Sequence, residues 1–156
     1  MENERKVEAI LWSIAFPGFG QLLNKKYVKG FIFVTLEFAV NVQARLNAAI
    51  IPSFYGQGQA ANDTVNYQWI MFYPCLYLFS MYDAYRDAPG ERMRYAAIPF
   101  AVSAYCGTIG VIYSHHFKIV GFLLGVIWSP ILFHLTGFLI GLGIRLIVLT
   151  LVKPQS

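Results

Sequence analysis

Ile131-Leu-Phe-His-Leu-Thr-Gly137-Phe-Leu-Ile-Gly141-Leu-Gly-Ile-Arg145-Leu-Ile-Val-Leu-Thr-Leu-Val152 carries one charged side chain and stops at Lys153-Pro154. A membrane-spanning helix needs roughly 20 mostly apolar residues, and this run supplies them. Its setting agrees. Only 13% of the 156 residues are charged and 17% are aromatic, whereas a soluble domain uses about 25% charged residues to cover its surface. Such a chain cannot wet its own outside, which excludes intrinsic disorder, a nucleic-acid-binding module and most soluble enzymes of this size. The net charge of +4 comes from basic residues scattered at the ends of apolar stretches, not gathered on one face, so no nucleic acid is expected as a partner.

Working outward, the stretches 30–51, 67–84 and 95–113 repeat the pattern. The expectation is an all-α, polytopic membrane bundle, one domain over 1–156, with spanning helices at 30–51, 67–84, 95–113 and 131–152. Two apolar pieces are too short to match. The first, 7–23, is interrupted by Pro17-Gly18-Phe19-Gly20, where proline removes a helical hydrogen bond and the glycines loosen the backbone beyond it. The second, 117–128, runs into Ser129-Pro130. Both are read as broken, re-entrant or interfacial segments. An unbroken helix over 117–152 would be about 54 Å long at 1.5 Å per residue, against a hydrocarbon core about 30 Å thick. A break at Ser129-Pro130 is therefore expected.

Glu2, Glu4 and Glu8 occupy the place of a signal peptide's basic region and no small-residue cleavage site comes after them, so the first segment is expected to be kept. Cys75 and Cys106 fall within apolar runs and read as small core hydrophobes. Lys25, Lys26 and Lys29 lie in one connection, Arg86, Arg92 and Arg94 in another, and Lys153 comes after the last span. The polar loop 52–66 has no basic residue, and the turn at His115-His116 has only Lys118. With four spans the basic connections share one side, which the positive-inside rule makes cytoplasmic. A multi-pass protein of the cell membrane with both termini in the cytoplasm is expected.

The run Ser13-Ile-Ala-Phe-Pro17-Gly18-Phe-Gly20-Gln21-Leu-Leu-Asn24-Lys-Lys-Tyr27-Val-Lys-Gly30 resembles the helical hairpin of TM2-like small bacterial membrane proteins. In these, a Pro-Gly-x-Gly-Gln element, an Asn or Gly turn and a Tyr-x-x-Gly step lead into the next span. The Asp-Arg-Phe-type element of TM2 domains is absent. The resemblance covers the N-terminal part alone and implies a membrane hairpin, not an activity. The remainder is similar in make-up to small polytopic bacterial membrane proteins.

Charges inside a span are costly, so each is a functional candidate. Glu37, Asn41 and Arg45 recur every four residues and share one helix face. Lipid offers them no hydrogen bonds, so this ladder must face the bundle or water. In the last span Gly137 and Gly141 form a small-xxx-small pair suited to close helix packing, and Arg145 continues their stripe. Glu37 and Arg145 lie at similar depth, which predicts that they pair or share a network with Asn41 and Arg45. Asp83, Arg86 and Asp87 form a weaker cluster at the end of the second span, where two carboxylates one turn apart suit either acid–base work or a solvated, ion-paired helix end. His115, His116 and His134 lack a cysteine or carboxylate at ligand spacing. No catalytic set, metal site or cofactor is expected.

Three roles fit these features. The first is an accessory or assembly protein, whose polar and glycine faces bind partner helices or further copies of itself. The second is a transporter or channel subunit with a site at the broken helices. The third is a membrane-interface enzyme acting through Asp83, Arg86 and Asp87. The accessory role is preferred, because most of the features already have a packing explanation.

Overall fold

The computed structural model describes residues 2–152; Lys153, expected at the cytoplasmic end, lies outside them. The elements run α1 (Glu2–Ala15), α2 (Phe19–Leu23), α3 (Tyr27–Ala44), α4 (Leu46–Phe54), α5 (Gly58–Thr64), α6 (Tyr67–Ile70), α7 (Tyr73–Asp87), α8 (Ala97–Ile112), β1 (Lys118–Ile119), β2 (Phe122–Leu123) and α9 (Gly125–Leu151). A 3₁₀ turn, Tyr113–His115, extends α8. The fold is all-α apart from the small antiparallel ladder Lys118↔Leu123 and Ile119↔Phe122.

By length and composition two helices are able to cross a membrane, Ala97–His115 and Gly125–Leu151, where the sequence pattern predicts four. The other two candidates fall short for physical reasons. α3 is 18 residues long but carries Glu37, Asn41 and Gln43. α7 has only 15 residues and ends in Asp83, Arg86 and Asp87. α9 is the most apolar element, and only 11% of its spanning window is buried inside the protein. Leu135, Leu139, Leu146 and Ile147 lie exposed along it.

Several expected boundaries move. The stretch 30–51 is divided at Arg45, whose φ of 58° ends α3 and redirects the chain into α4. Asn41, Gln43, Arg45 and Asn47 make this the polar half of the stretch. Pro52 lies within α4 instead of ending a span. The stretch 67–84 becomes α6 and α7, and 117–128 becomes the hairpin plus the first turn of α9. No break occurs at Ser129-Pro130: α9 runs through Pro130. Pro130 is the sixth residue of α9 and forgoes the helical hydrogen bond to the Val126 carbonyl, but close packing against Gly110 of α8 carries the helix through it. The chain reverses instead at Val120, Gly121 and Gly125, all with positive φ.

α8 and α9 pack with very close backbones. A Cβ on Gly110 would lie 2.7 Å from Pro130 Cα, one on Gly137 2.6 Å from Cys106 Cβ, and one on Gly141 2.5 Å from Pro99 Cα. The imidazole of His134 fills the space that a side chain at Gly107 would take. Ser103 Oγ donates to the His134 carbonyl (2.9 Å) and His134 Nδ1 lies 2.9 Å from the Ser103 carbonyl. Ser129 Oγ donates to the Gly110 carbonyl at 2.9 Å. Gly137 and Gly141 therefore face α8, not the ladder of α3. Cys106 sits in this seam, while Cys75, expected in the core, is exposed on α7.

Candidate functional site

The largest concentration of buried polar groups lies where the N-terminal hairpin meets α7. α1 runs antiparallel to α7 from the level of Glu91, where Lys6 Nζ donates to its carbonyl, to the level of Tyr77, whose hydroxyl donates to the Ile14 carbonyl. Pro17 and Gly18 then turn the chain back. Gly18 has φ 105°, and a Cβ there would lie 2.7 Å from the Gly30 carbonyl, so this tight reversal needs glycine. α2 returns along α7. The hairpin thus enters and leaves at one end of α7, the shape a re-entrant segment would have.

Hydrogen bonds fix its depth. The Gly18 amide donates to Ser80 Oγ (3.2 Å), Gln21 Nε2 to the Ser80 carbonyl (2.8 Å) and to Asp83 Oδ2 (3.3 Å), and Asn24 Nδ2 to the Ala84 carbonyl (2.8 Å). Gln21, Ser80 and Asp83 are all buried. At the first turn of α3, Lys29 Nζ lies 2.9 Å from Asp83 Oδ1 and 2.5 Å from Asp87 Oδ2. Arg86 reaches back to Asp83 Oδ1, and its Nε is 3.5 Å from Asp87 Oδ1. Two cations and two carboxylates balance.

Lys29 and Asp87 sit at the bundle end, outside the stretches 30–51 and 67–84. The hydrogen bond to Asp87 raises the Lys29 ammonium above its ordinary 10.5; burial opposes this and Asp83 adds to it. Burial pushes the Asp87 carboxyl up, but the bond and charge of Lys29, with Arg86 behind them, outweigh it and hold the group below its ordinary 3.8. A depressed carboxyl contributes stability that is present above its unfolded value and lost as pH falls through the folded one. A raised ammonium contributes stability that is complete below its unfolded value and lost as pH rises through the folded one. The stabilisation from this cluster is therefore expected to be level between pH 3.8 and 10.5 and to fade on both sides. The difference in Tm between the unaltered protein and Asp87→Asn, tracked against pH in detergent, measures it. A difference that grows as pH drops below 3.8 contradicts this account.

The arrangement is one of fastening. Asp83 accepts from Lys29, Arg86 and Gln21, and Asp87 from Lys29 and Arg86. A nearby pocket of about 150 Å³ is lined by Arg86 but by neither carboxylate. Both carboxylates are engaged by these ion pairs and hydrogen bonds.

The other expected network forms only in part: the Asn41 side chain bonds to Glu37, while Arg45 and Arg145 stand apart. Glu37 is buried and accepts from the Tyr73 hydroxyl at 3.1 Å. Asn41 Nδ2 is 3.3 Å from Asn47 Oδ1, and Arg45 is exposed at the α3–α4 break. Arg145 Nε donates to the Arg94 carbonyl at 2.9 Å instead of meeting Glu37. Equal depth did not bring those two charges together, because α3 packs on α6 and α7 while α9 packs on α8. The histidines also separate: His134 lies in the α8–α9 seam, and His115 lies against the ring of Tyr67 at the opposite end from Lys29. Among the described residues, no group of three or more His, Cys, Asp or Glu is placed to hold a metal ion.

Sequence reasoning passed over Gln21, Asn24, Lys29, Ser80 and Tyr73 as site residues. Gln21 and Asn24 stand within the hairpin motif, and Lys29 contributes to the sequence reading only through its charge, as a marker of orientation. No protein-family model, curated protein or solved structure matches this chain.

Proposed function

We propose that this protein is a small integral membrane protein of accessory or assembly type, which binds a helix of a membrane partner or of a second copy of itself. The observation that supports this reading is how the bundle disposes its polar and glycine faces. Gly137 and Gly141 are taken up by α8, and Glu37 by Tyr73. Among the surfaces that remain is an apolar groove of about 250 Å³ between α4, α6, α7, α8 and α9, lined by Leu46, Ile50, Tyr73, Tyr77, Ile131 and His134 among others. Most of its polar side-chain atoms are engaged already: the Tyr73 hydroxyl with Glu37, the Tyr77 hydroxyl with Ile14, and His134 Nδ1 with Ser103. A groove of this kind offers apolar contact and little else, which suits an apolar helix better than a polar solute. Neither Glu37, Asn41 nor Arg45 lines it, so this groove is not a route along the ladder.

In this reading the stretches 30–51 and 67–84 join α8 and α9 as spans, making a four-helix multi-pass bundle. The α1–α2 hairpin is re-entrant, like the TM2-like hairpin that its sequence resembles. Lys6, Lys29, Arg86, Arg94 and Arg145 meet at one end of the bundle. By the positive-inside rule that end is cytoplasmic.

The test is a photoreactive residue at Ile131, in the groove, compared with one at Leu146, exposed on α9 outside it. In native membranes Ile131 is expected to give one discrete protein adduct, whose mass separates a second copy from a different polypeptide, while Leu146 gives lipid adducts. Lipid adducts alone from both positions would count against the partner.

A further inference from the structure

A second groove runs between α7 and α8 on the other flank of α7. It has a volume of about 690 Å³, and Leu78, Phe79, Phe100, Ala101, Ala104 and Tyr105 line it. At its Tyr82 end it meets the 150 Å³ pocket beside Arg86, since Tyr82 and Ala97 line both. The chemistry changes abruptly there. Arg86, Arg92, Tyr85 and Tyr95 line the smaller pocket. The first turn of α8 opens beside it with no side-chain cap. Its amides are mostly spent, Ala96 on the Met93 carbonyl and Ile98 on the Tyr95 carbonyl, and Pro99 has none, so the donors offered to an anion here are side chains.

The charge balance at this end is lopsided. Lys29 and Arg86 are balanced by Asp83 and Asp87. Arg92, Arg94 and Arg145 make no ion pair among the described residues. Arg94 lies over the Tyr95 ring at 5.6 Å, and Arg145 bonds only a backbone carbonyl. The Tyr85 hydroxyl accepts from the Met93 amide (3.3 Å), which leaves its own hydrogen to donate.

We propose that these adjoining cavities bind an anionic phospholipid, with an acyl chain along the α7–α8 groove and the phosphate at Arg92 and the Tyr85 hydroxyl. The order of surfaces is that of an amphiphile: an apolar length, then cations and donors at the membrane boundary. Basic pockets between membrane helices recognise anionic headgroups in this way. A partner helix, about 10 Å across, would gain nothing from a narrow arginine-lined recess at the groove's end. The site is separate from the partner groove and does not depend on it.

The experiment is native mass spectrometry of the delipidated full chain in mild detergent, titrated with phosphatidylglycerol and with phosphatidylcholine of the same acyl chains. Phosphatidylglycerol is expected to bind at least about fivefold more tightly, the factor for one arginine near a headgroup. Arg92→Gln should lower that affinity by about fivefold and leave phosphatidylcholine unchanged. Ala104→Phe, which fills the groove, should weaken both lipids. Equal affinity for the two lipids overturns the proposal. So does a preference that survives Arg92→Gln, or displacement of the lipid by inorganic phosphate alone, which would make the pocket a phosphate site.

Discussion

Gly137→Leu is expected to melt at a temperature roughly 6–12 °C below the unaltered protein, corresponding to about 3 kcal/mol. A Cβ at this position would lie 2.6 Å from Cys106 Cβ and 3.0 Å from Ser103 Cα. The second of these belongs to the backbone of α8, so no side-chain rotation relieves the clash and the helices must separate. Separation would also stretch the Ser103–His134 clasp, whose members have no water to turn to at that depth. Gly143→Leu provides the control. It lies on the same helix, and a Cβ there meets nothing within 4 Å. Its stability should stay within about 0.5 kcal/mol of the parent. Thermal unfolding of both variants in one detergent decides the matter, and equal losses would show that the close α8–α9 approach is not what holds the pair.

Asp83→Ala is expected to cost about 2–3 kcal/mol and to release the N-terminal hairpin from α7. Removing one member of a buried ion pair costs about 3–5 kcal/mol. Here Lys29 and Arg86 keep Asp87 as a second partner, and more than a third of each side chain is exposed, so solvent screening reduces the figure. The Gln21 amide also loses an acceptor within a buried site. The readout that separates this from general destabilisation is local. Proteolysis or hydrogen exchange should increase across 2–24 well before it increases in α8 or α9. Uniform loosening would mean that Asp83 does not fasten the hairpin.

These two variants probe different parts of what the sequence disclosed. Gly137 and Gly141 announce a close helix contact by their spacing, but spacing does not name the partner. The matching depth of Glu37 and Arg145 pointed to α3, whereas α8 is the helix directly before α9 in the chain and packs along it. Asp83 and Asp87 are visible as a one-turn pair. Their true partner, Lys29, lies far away in sequence, and its distance from them gave no signal. Arg45 reads as a rung of an intramembrane ladder, yet its left-handed backbone ends α3 there and leaves the side chain exposed. Proline misled at position 130, where packing against Gly110 carries the helix past one lost hydrogen bond, and informed correctly at position 17, where glycine beside it permits a turn.

Composition and periodicity alone determined that this chain is helical and bound for apolar surroundings, because every apolar run must hide its own backbone bonds and too few charges exist to face water. Which helix touches which was settled only in three dimensions. Pairing is chosen by the fit of whole surfaces, such as glycine against serine and cysteine, or a lysine reaching two carboxylates. That fit is a property of positions in space that no single run of residues contains.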